Sequence, residues 1–389
     1  MHYLDNSATT ELDPAVKERM SAFQSRNFAN AGSVHQGGQR ARVLLETARE
    51  DIARTIGAEP KELIFTSGGT EANNYALKGY AFKVKAETGS WPVLITNRAE
   101  HHAVLHPVAF LESLGVPVRY VEVNHGGYVT PDALHAVLRS LPEDARTLVS
   151  VMYANNETGS VNPVLELSSA VREHGGVLHV DAVQALGKLD CNVAATGADM
   201  MSFSAHKIHG PKGIGALYVN KETELESLIH GGAQERDRRG GTEPVELVVG
   251  FAEAVRLAEA GKDDAIARMS ALRDRLRTLL ADIEGVNFVS PEDHTLPNIV
   301  NVTFDDAAQL DGEGLIVGMD IRGVAVSNGS ACTSGSMQPS HVLVAMGYPA
   351  EQARAAVRFS LGRFTTEDDV VKGAHALQEV VDSMRRGSR

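Results

Sequence analysis

Residues 148–152, with the sequence Leu-Val-Ser-Val-Met, carry the pattern that decides the fold class. The run is almost continuously apolar and rich in valine, which is typical of a strand buried on both faces of a sheet. Further short apolar runs lie on either side of it, at residues 63–65, 93–95, 118–123, 177–180, 200–203 and 215–219. Most of these runs are separated by segments long enough for a helix, so the sequence predicts an α/β fold with a mostly parallel sheet.

The pattern changes after about residue 257. A charge-rich helical stretch at 263–283 is followed by separate strands at 299–304, 324–327 and 357–360, and by an amphipathic helix near 370–384. We therefore expect a large domain over residues 15–260 and a smaller α+β domain made of residues 1–14 and 261–389. In this arrangement the N-terminal residues cross over to join the small domain.

Length and composition exclude several classes of function. The 389 residues are 43% hydrophobic, and 50 Asp and Glu outnumber 37 Lys and Arg. The core can therefore be substantial, whereas coating DNA or RNA would need a basic footprint. No apolar run approaches the roughly 20 residues that cross a bilayer, and the first residues do not resemble a signal peptide. The two cysteines cannot build a disulfide framework, so we expect a cytoplasmic protein that binds no membrane.

Polar side chains follow several predicted strands, at the sheet edge where such folds bind ligands. Residues 66–73, Thr-Ser-Gly-Gly-Thr-Glu-Ala-Asn, would turn backbone N–H groups toward an anion, although a plain strand-to-helix turn fits equally well. Asp181 also follows a strand, where it either holds a cation such as a protonated ring nitrogen or caps a helix. Lys207, flanked by Ser204 and His206, is a candidate for an amine that forms an imine.

Histidines follow another strand, in residues 100–106, Glu-His-His-Ala-Val-Leu-His. His102 and His106 are four residues apart and could share a metal ion, but a ring stacked on an aromatic cofactor, or a surface cluster, is favoured. An anion cradle, a stacking ring, an acid for a pyridinium nitrogen and a lysine amine are together the requirements of pyridoxal phosphate.

Two further residues stand out. Cys332 lies within residues 329–336, Gly-Ser-Ala-Cys-Thr-Ser-Gly-Ser, and this small-residue context predicts an exposed loop with a reactive thiol. Cys191 has no such neighbours, so we expect it to be structural. Arg358 emerges from a predicted strand and could grip a carboxylate through paired hydrogen bonds, although surface arginines are common.

The chain resembles the cysteine desulfurases of the NifS/IscS type, a branch of the class V aminotransferase family. The motifs that carry the resemblance follow one another in the family's order, at residues 3–10, 66–74, 100–101, 155–159, 179–181, 201–215, 235–242, 330–334 and 358–366. Each block alone is a weak signal, whereas the ordered set is highly specific. The resemblance implies a pyridoxal-phosphate-dependent transferase of fold type I, with a mostly parallel seven-stranded sheet in the large domain.

The resemblance also implies site residues. Lys207 would carry the cofactor covalently, His101 would stack on its ring and move a proton, and Cys332 would take the substrate sulfur as a persulfide. The implied cofactor-binding residues are Gly69, Thr70, His101, Asn156, Asp181, Gln184, Ser204, His206, Lys207 and Thr242. Thr242 would reach the site from the other subunit of a homodimer. Asn155 and Arg358 would hold the carboxylate of L-cysteine. No metal is implied, although Cys332 could transiently bind an iron–sulfur cluster.

The implied reaction converts L-cysteine to L-alanine and passes the sulfur to an acceptor protein, such as an iron–sulfur scaffold or a tRNA thiolase. Three alternatives remain open. A simple class V aminotransferase needs no thiol, and a selenocysteine lyase would share every substrate contact except one atom. A catalytically silent partner protein would have no chemical need for Lys207, Asp181, His101 and Cys332 together.

Overall fold

The computed structural model describes residues 1–329 and 338–387. Cys332 and residues 330–336 of the loop predicted around it therefore lie outside the described residues. The strands are β1 His2–Tyr3, β2 Leu63–Thr66, β3 Val93–Asn97, β4 Val118–Val121, β5 Thr147–Met152, β6 Val177–Asp181, β7 Met200–Ser204, β8 Gly215–Val219, β9 Val286–Phe288, β10 Ile299–Phe304, β11 Val324–Ala325 and β12 Val357–Ser360. The α-helices are α1 Pro14–Gln24, α2 Gln36–Thr55, α3 Gly69–Asn74, α4 Tyr80–Thr88, α5 His102–Ser113, α6 Pro131–Arg139, α7 Val164–Glu173, α8 Val193–Thr196, α9 Val245–Ala260, α10 Lys262–Ala281, α11 Gly312–Ile321, α12 His341–Ala345, α13 Ala350–Arg354 and α14 Glu367–Gly387.

Seven strands form the central sheet, in the order β2-β8-β7-β6-β5-β3-β4. The pairs from β7 through β6, β5 and β3 to β4 are parallel, whereas β8 runs antiparallel to both β7 and β2. This arrangement confirms the predicted fold class, and each of the apolar runs forms a strand. The reversal at β8 leaves β2 parallel to β7, so the loops after β2, β3, β5, β6 and β7 meet at one edge.

Strand β5 shows why the sheet is buried on both faces. All of its residues are buried, and alternate side chains enter different hydrophobic clusters. Val149 and Val151 pack in the cluster that contains the buried faces of α1, α2 and α9, whereas Leu148 packs in the cluster formed with α4 and α5. This alternation follows from the two-residue period of a strand.

Helix α2 begins before the apolar periodicity of its sequence does. Its apolar face includes Ala41, Leu45 and Ile52, but the helix starts at Gln36 because the ring of His35 accepts a hydrogen bond from the Gly38 N–H at 3.2 Å. The first turn is polar and carries no apolar periodicity, so the sequence pattern could not place its start.

A second hydrophobic core lies beside a three-stranded antiparallel sheet of order β12-β10-β9. The N-terminus lies against this core: β1 pairs in parallel with β11, and Leu4 is fully buried in it. Strand β11 is shorter than predicted, since Ser327 instead forms an isolated bridge with Arg358. The exact domain boundaries remain a prediction. Among the described helices, none combines the length and the apolar character needed to cross a membrane.

Candidate active site

A cavity of about 410 Å³ opens at the edge where the parallel strands of the central sheet end. Its wall includes Met152 at the end of β5, Asp181 at the end of β6 and Ser204 at the end of β7. This is the edge at which open parallel sheets bind their ligands. The predicted site residues that line it are Gly69, Thr70, His101, Asn156, Asp181, Gln184, Ser204, His206, Lys207 and Arg358.

Lys207 lies one helical turn beyond β7, and its ammonium group donates hydrogen bonds to the carbonyl oxygens of Ser7 and Ala8. Burial lowers its pKa to about 7, and the nearby positive charges of Arg358 and Lys188 act in the same direction. A neutral lysine amine is a nucleophile, whereas an ammonium ion is not. The geometry therefore supports the interpretation of Lys207 as an amine that attaches a carbonyl compound.

Asp181 presents a carboxylate to the cavity from the end of β6. One oxygen accepts a hydrogen bond from the side-chain amide of Asn73 at 2.6 Å, and the other accepts from the Val183 N–H at 3.0 Å. The second contact closes a turn, and residues 182–192 form no helix, so Asp181 does not cap one. The sequence analysis missed Asn73, although it lies within the motif at residues 66–74.

His101 caps the start of α5. Its Nδ1 accepts a hydrogen bond from the Ala103 N–H at 3.0 Å, so the ring proton resides on Nε2. Burial lowers the pKa of His101, against an opposing effect of Asp181. A neutral ring on the cavity wall suits stacking on an aromatic ligand and the transfer of a proton.

The remaining histidines of this motif form a ring cluster outside the cavity. The ring centroid of His102 lies 4.8 Å from that of His106 and 4.4 Å from that of His341, which comes from α12. In the part of the chain that the structure describes, no group of three or more His, Cys, Asp or Glu side chains is arranged to hold a metal ion.

The predicted anion cradle lies where β2 leads into α3. A Cβ atom at Gly69 would come within 2.6 Å of a Val183 methyl group, so only glycine lets the helix start this close to the neighbouring loop. The hydroxyl-bearing Ser204 is buried at the end of β7, and burial lowers the pKa of His206 to about 4. The cradle therefore consists of neutral donors and backbone at a helix start, a setting that favours a phosphate.

Arg358 reaches the cavity from β12, in the other sheet. Its guanidinium donates to the carbonyl oxygen of Asn156 at 3.0 Å and to a carboxylate oxygen of Asp5 at 2.5 Å. Its Nε is buried and has no hydrogen-bond partner within residues 1–329 and 338–387. Arg358 itself lines the cavity, where its guanidinium is placed to pair with a substrate carboxylate. Asp5 is a second site residue that the sequence analysis missed.

Two predicted site residues, Asn155 and Thr242, do not line this cavity. The Asn155 side chain donates to the Ala99 carbonyl in the loop after β3 and accepts from the Glu157 and Thr158 N–H groups of its own turn, so its polar atoms are already occupied. Thr242 is exposed and lines a separate cavity of about 200 Å³. Cys332 lies outside the described residues.

These residues fit pyridoxal phosphate. An amine with a pKa near 7, a carboxylate for a ring nitrogen, a neutral imidazole and a phosphate cradle face one cavity. Gln184 also lines this cavity, where its amide donates to the Ser7 carbonyl at 2.9 Å and leaves its side-chain oxygen as an acceptor.

Comparison with known proteins gives a consistent result. The family description "Aminotransferase class-V" matches residues 2–372. The cysteine desulfurase IscS of Dictyoglomus turgidum is 43% identical over 384 residues, which cover 98% of this chain and 95% of that protein. A solved NifS-like protein superposes with a TM-score of 0.89 at 35% identity, covering 98% of this chain and 99% of the other. A structure titled "SspA in complex with cysteine" superposes with a TM-score of 0.80 at 36% identity, covering 94% and 100%.

Proposed function

We infer that this chain, which belongs to the class V aminotransferase family, is a pyridoxal-phosphate-dependent cysteine desulfurase of fold type I. The observation that carries the inference is Lys207, with its pKa near 7, in one cavity with Asp181, His101 and Arg358. The overall reaction is L-cysteine plus an enzyme thiol giving L-alanine plus an enzyme persulfide. With a reductant present, the holoenzyme should release alanine and sulfide in equal amounts from L-cysteine. Release of alanine from L-selenocysteine but not from L-cysteine would favour the alternative of a selenocysteine lyase.

Each of these cavity residues has a distinct role in the proposed reaction. Arg358 binds the substrate carboxylate, and Asp181 holds the pyridine nitrogen in its protonated form. The bound cofactor supplies an electron sink that weakens the bonds at the substrate's Cα and Cβ. Lys207, whose pKa lies near neutrality, takes the proton from Cα and returns it.

Cys332 completes the reaction in this proposal. Its thiolate forms a sulfur–sulfur bond with the substrate sulfur while the Cβ–S bond breaks. The electron pair stays with the carbon, and the proton lost by the Cys332 thiol balances the proton gained at Cβ. The product carbon skeleton is alanine, and the sulfur remains on the enzyme as a persulfide.

We further propose that the enzyme works in the cytoplasm, because the reaction consumes a free thiol, which a reducing compartment preserves. The persulfide would pass to an acceptor protein for iron–sulfur cluster assembly or for tRNA or cofactor thiolation. Neither step requires direct contact with nucleic acid.

The capture of pyridoxal phosphate by the cofactor-free protein should accelerate as the pH rises through about 7 and then level off. Lysine normally has a pKa of about 10.4, but that of Lys207 is lowered to about 7, so its neutral form predominates above that pH. Initial rates of absorbance change, normalised to those of an acetylated lysine amide, would measure the profile. Borohydride trapping and peptide mass would confirm that Lys207 is the site. A rate that keeps rising to about pH 10 would contradict this assignment of the amine.

We propose that the enzyme is a homodimer in which Thr242 completes the phosphate site of the other subunit. Thr242 is exposed in the single chain, and its segment is fixed to the start of α3 by an ion pair between Arg239 and Glu71 at 3.0 Å. The buried pair of Arg49 with Glu235, at 2.8 Å, holds the other end of that segment. An exposed residue in a fixed segment, outside its own subunit's cavity, suits a contribution to the other subunit across a two-fold axis.

Mixed dimers test this arrangement. If Thr242 acts across the interface, a dimer of one Lys207→Ala and one Thr242→Ala subunit contains one intact site and one doubly defective site. We expect this mixture, after exchange of subunits, to regain a substantial part of the activity that both parents lack. If Thr242 acted within its own subunit, each site would retain one defect and mixing would restore nothing. An active monomer in sedimentation would equally contradict the proposal.

A further inference from the structure

Glu157 is a buried carboxyl group that the proposed reaction does not use. It lies in the turn after β5, is only 2% exposed, and its backbone N–H donates to the Asn155 side-chain oxygen at 2.8 Å. Burial raises its pKa, while Ser340, His341 and Arg358 act in the opposite direction. Burying a carboxyl group costs free energy that an apolar side chain would not, so its contacts require an explanation.

Those contacts lie on both sides of residues 330–337. One carboxylate oxygen of Glu157 accepts a hydrogen bond from the Ser340 hydroxyl at 2.5 Å. Gly329 packs against the same oxygen so closely that a Cβ atom at Gly329 would overlap it. Gly329 is the last described residue before the segment, and Ser340 is the third described residue after it. A single side chain thus contacts both flanks.

Each flank is also tied to the site by a second contact. On one side, the backbone N–H of Arg358 donates to the carbonyl oxygen of Ser327 at 2.6 Å. Ser327 lies two residues before Gly329. On the other side, His341 lies within hydrogen-bond distance, 2.9 Å, of the Glu100 carbonyl, in the loop that carries His101. Glu157 is a contact that the two flanks share.

We propose that Glu157 is a positioning residue for the sulfur-transfer step: by contacting Gly329 and Ser340 together, it sets where the chain enters and leaves the segment that contains Cys332. This inference rests on the proposed function, because it assigns the receipt of sulfur to Cys332. It also gives Asn155 a role other than substrate binding, since its side-chain oxygen fixes the turn that presents Glu157.

The test separates two stages of the reaction in the holoenzyme. The first stage is the spectral change of the bound cofactor on addition of L-cysteine, and the second is the rate of persulfide formation on Cys332. In Glu157→Ala we expect the first stage to keep its dependence on L-cysteine concentration. The second stage should slow on the order of 100-fold, because misplacement of a reacting group by about 1 Å has that effect. Glu157→Gln keeps an oxygen for the Ser340 hydroxyl and should retain most of the rate.

Ser340→Ala provides a second, milder variant, which also serves if Glu157→Ala fails to fold. It removes one flank contact and should slow the second stage alone. If the two residues act through their contact, the double variant should be no slower than Glu157→Ala. The proposal is overturned if both single variants form persulfide at the parental rate, or if both stages slow equally. A parent enzyme that forms no persulfide from L-cysteine would instead overturn the proposed function.

Discussion

Replacing Lys207 with alanine is expected to lower turnover of L-cysteine by about four orders of magnitude and to remove the covalent attachment of pyridoxal phosphate. Burial in the cavity lowers the pKa of the Lys207 amine to about 7. Both the attachment of the cofactor and the proton transfer at the substrate's Cα depend on this amine. The purified parent should be yellow, and borohydride reduction should leave pyridoxyl mass on the peptide that contains Lys207.

Lys212→Ala is the matched control for this variant. Lys212 follows in the same loop but is exposed, so its removal should leave the colour, the labelled peptide and the turnover as in the parent. A Lys207→Ala protein that still fixed the cofactor on another lysine and turned over normally would show that the amine is misassigned. A colourless parent that gained no absorbance with added pyridoxal phosphate would contradict the cofactor itself.

Replacing Cys332 with alanine is expected to separate the two chemical stages. The variant should keep its colour and show a spectral change with L-cysteine, because Lys207, Asp181 and Arg358 are intact. It should release almost no sulfide, with turnover lower by several orders of magnitude, because the nucleophile that takes the sulfur is gone. Sulfide release, measured with a reductant, and alanine release would be followed together.

Cys191→Ala is the control for the thiol. Cys191 is 5% exposed, and burial raises the pKa of its thiol to about 12, so it stays protonated and inaccessible near neutral pH. This variant should behave like the parent. Sulfide release by Cys332→Ala at the parental rate would make the thiol incidental, and a selenocysteine-lyase-like or direct-elimination mechanism would then explain the reaction better.

Much of the fold follows from local patterns. The apolar runs form strands because each is buried by its neighbours in the sheet, and β5 is buried on both faces as its composition predicts. The strand ends also locate most of the site, since Asp181, Ser204 and Lys207 follow strands whose ends meet at one edge. The start of α2 is the exception, because a side-chain cap rather than an apolar period determines it.

The site residues that sequence reasoning missed depend on contacts between distant segments. Asp5 meets Arg358 across 353 positions, and Asn73 meets Asp181 across 108 positions. Nothing local distinguishes either residue from an ordinary polar residue in a turn. Asn155 and Asn156 show that sequence reasoning also fails to separate neighbouring residues of the same type. Their side chains lie in different surroundings. Only Asn156 lines the cavity.

The stoichiometry of a single turnover tests the central claim most directly. Holoenzyme would be mixed with L-cysteine in the absence of a reductant, and alanine would be counted against added sulfur on each cysteine peptide by mass spectrometry. We predict one persulfide for each alanine, all of it on Cys332 and none on Cys191. Alanine formed without a persulfide on Cys332, or sulfide released together with pyruvate instead of alanine, would contradict the assignment as a cysteine desulfurase that works through Cys332.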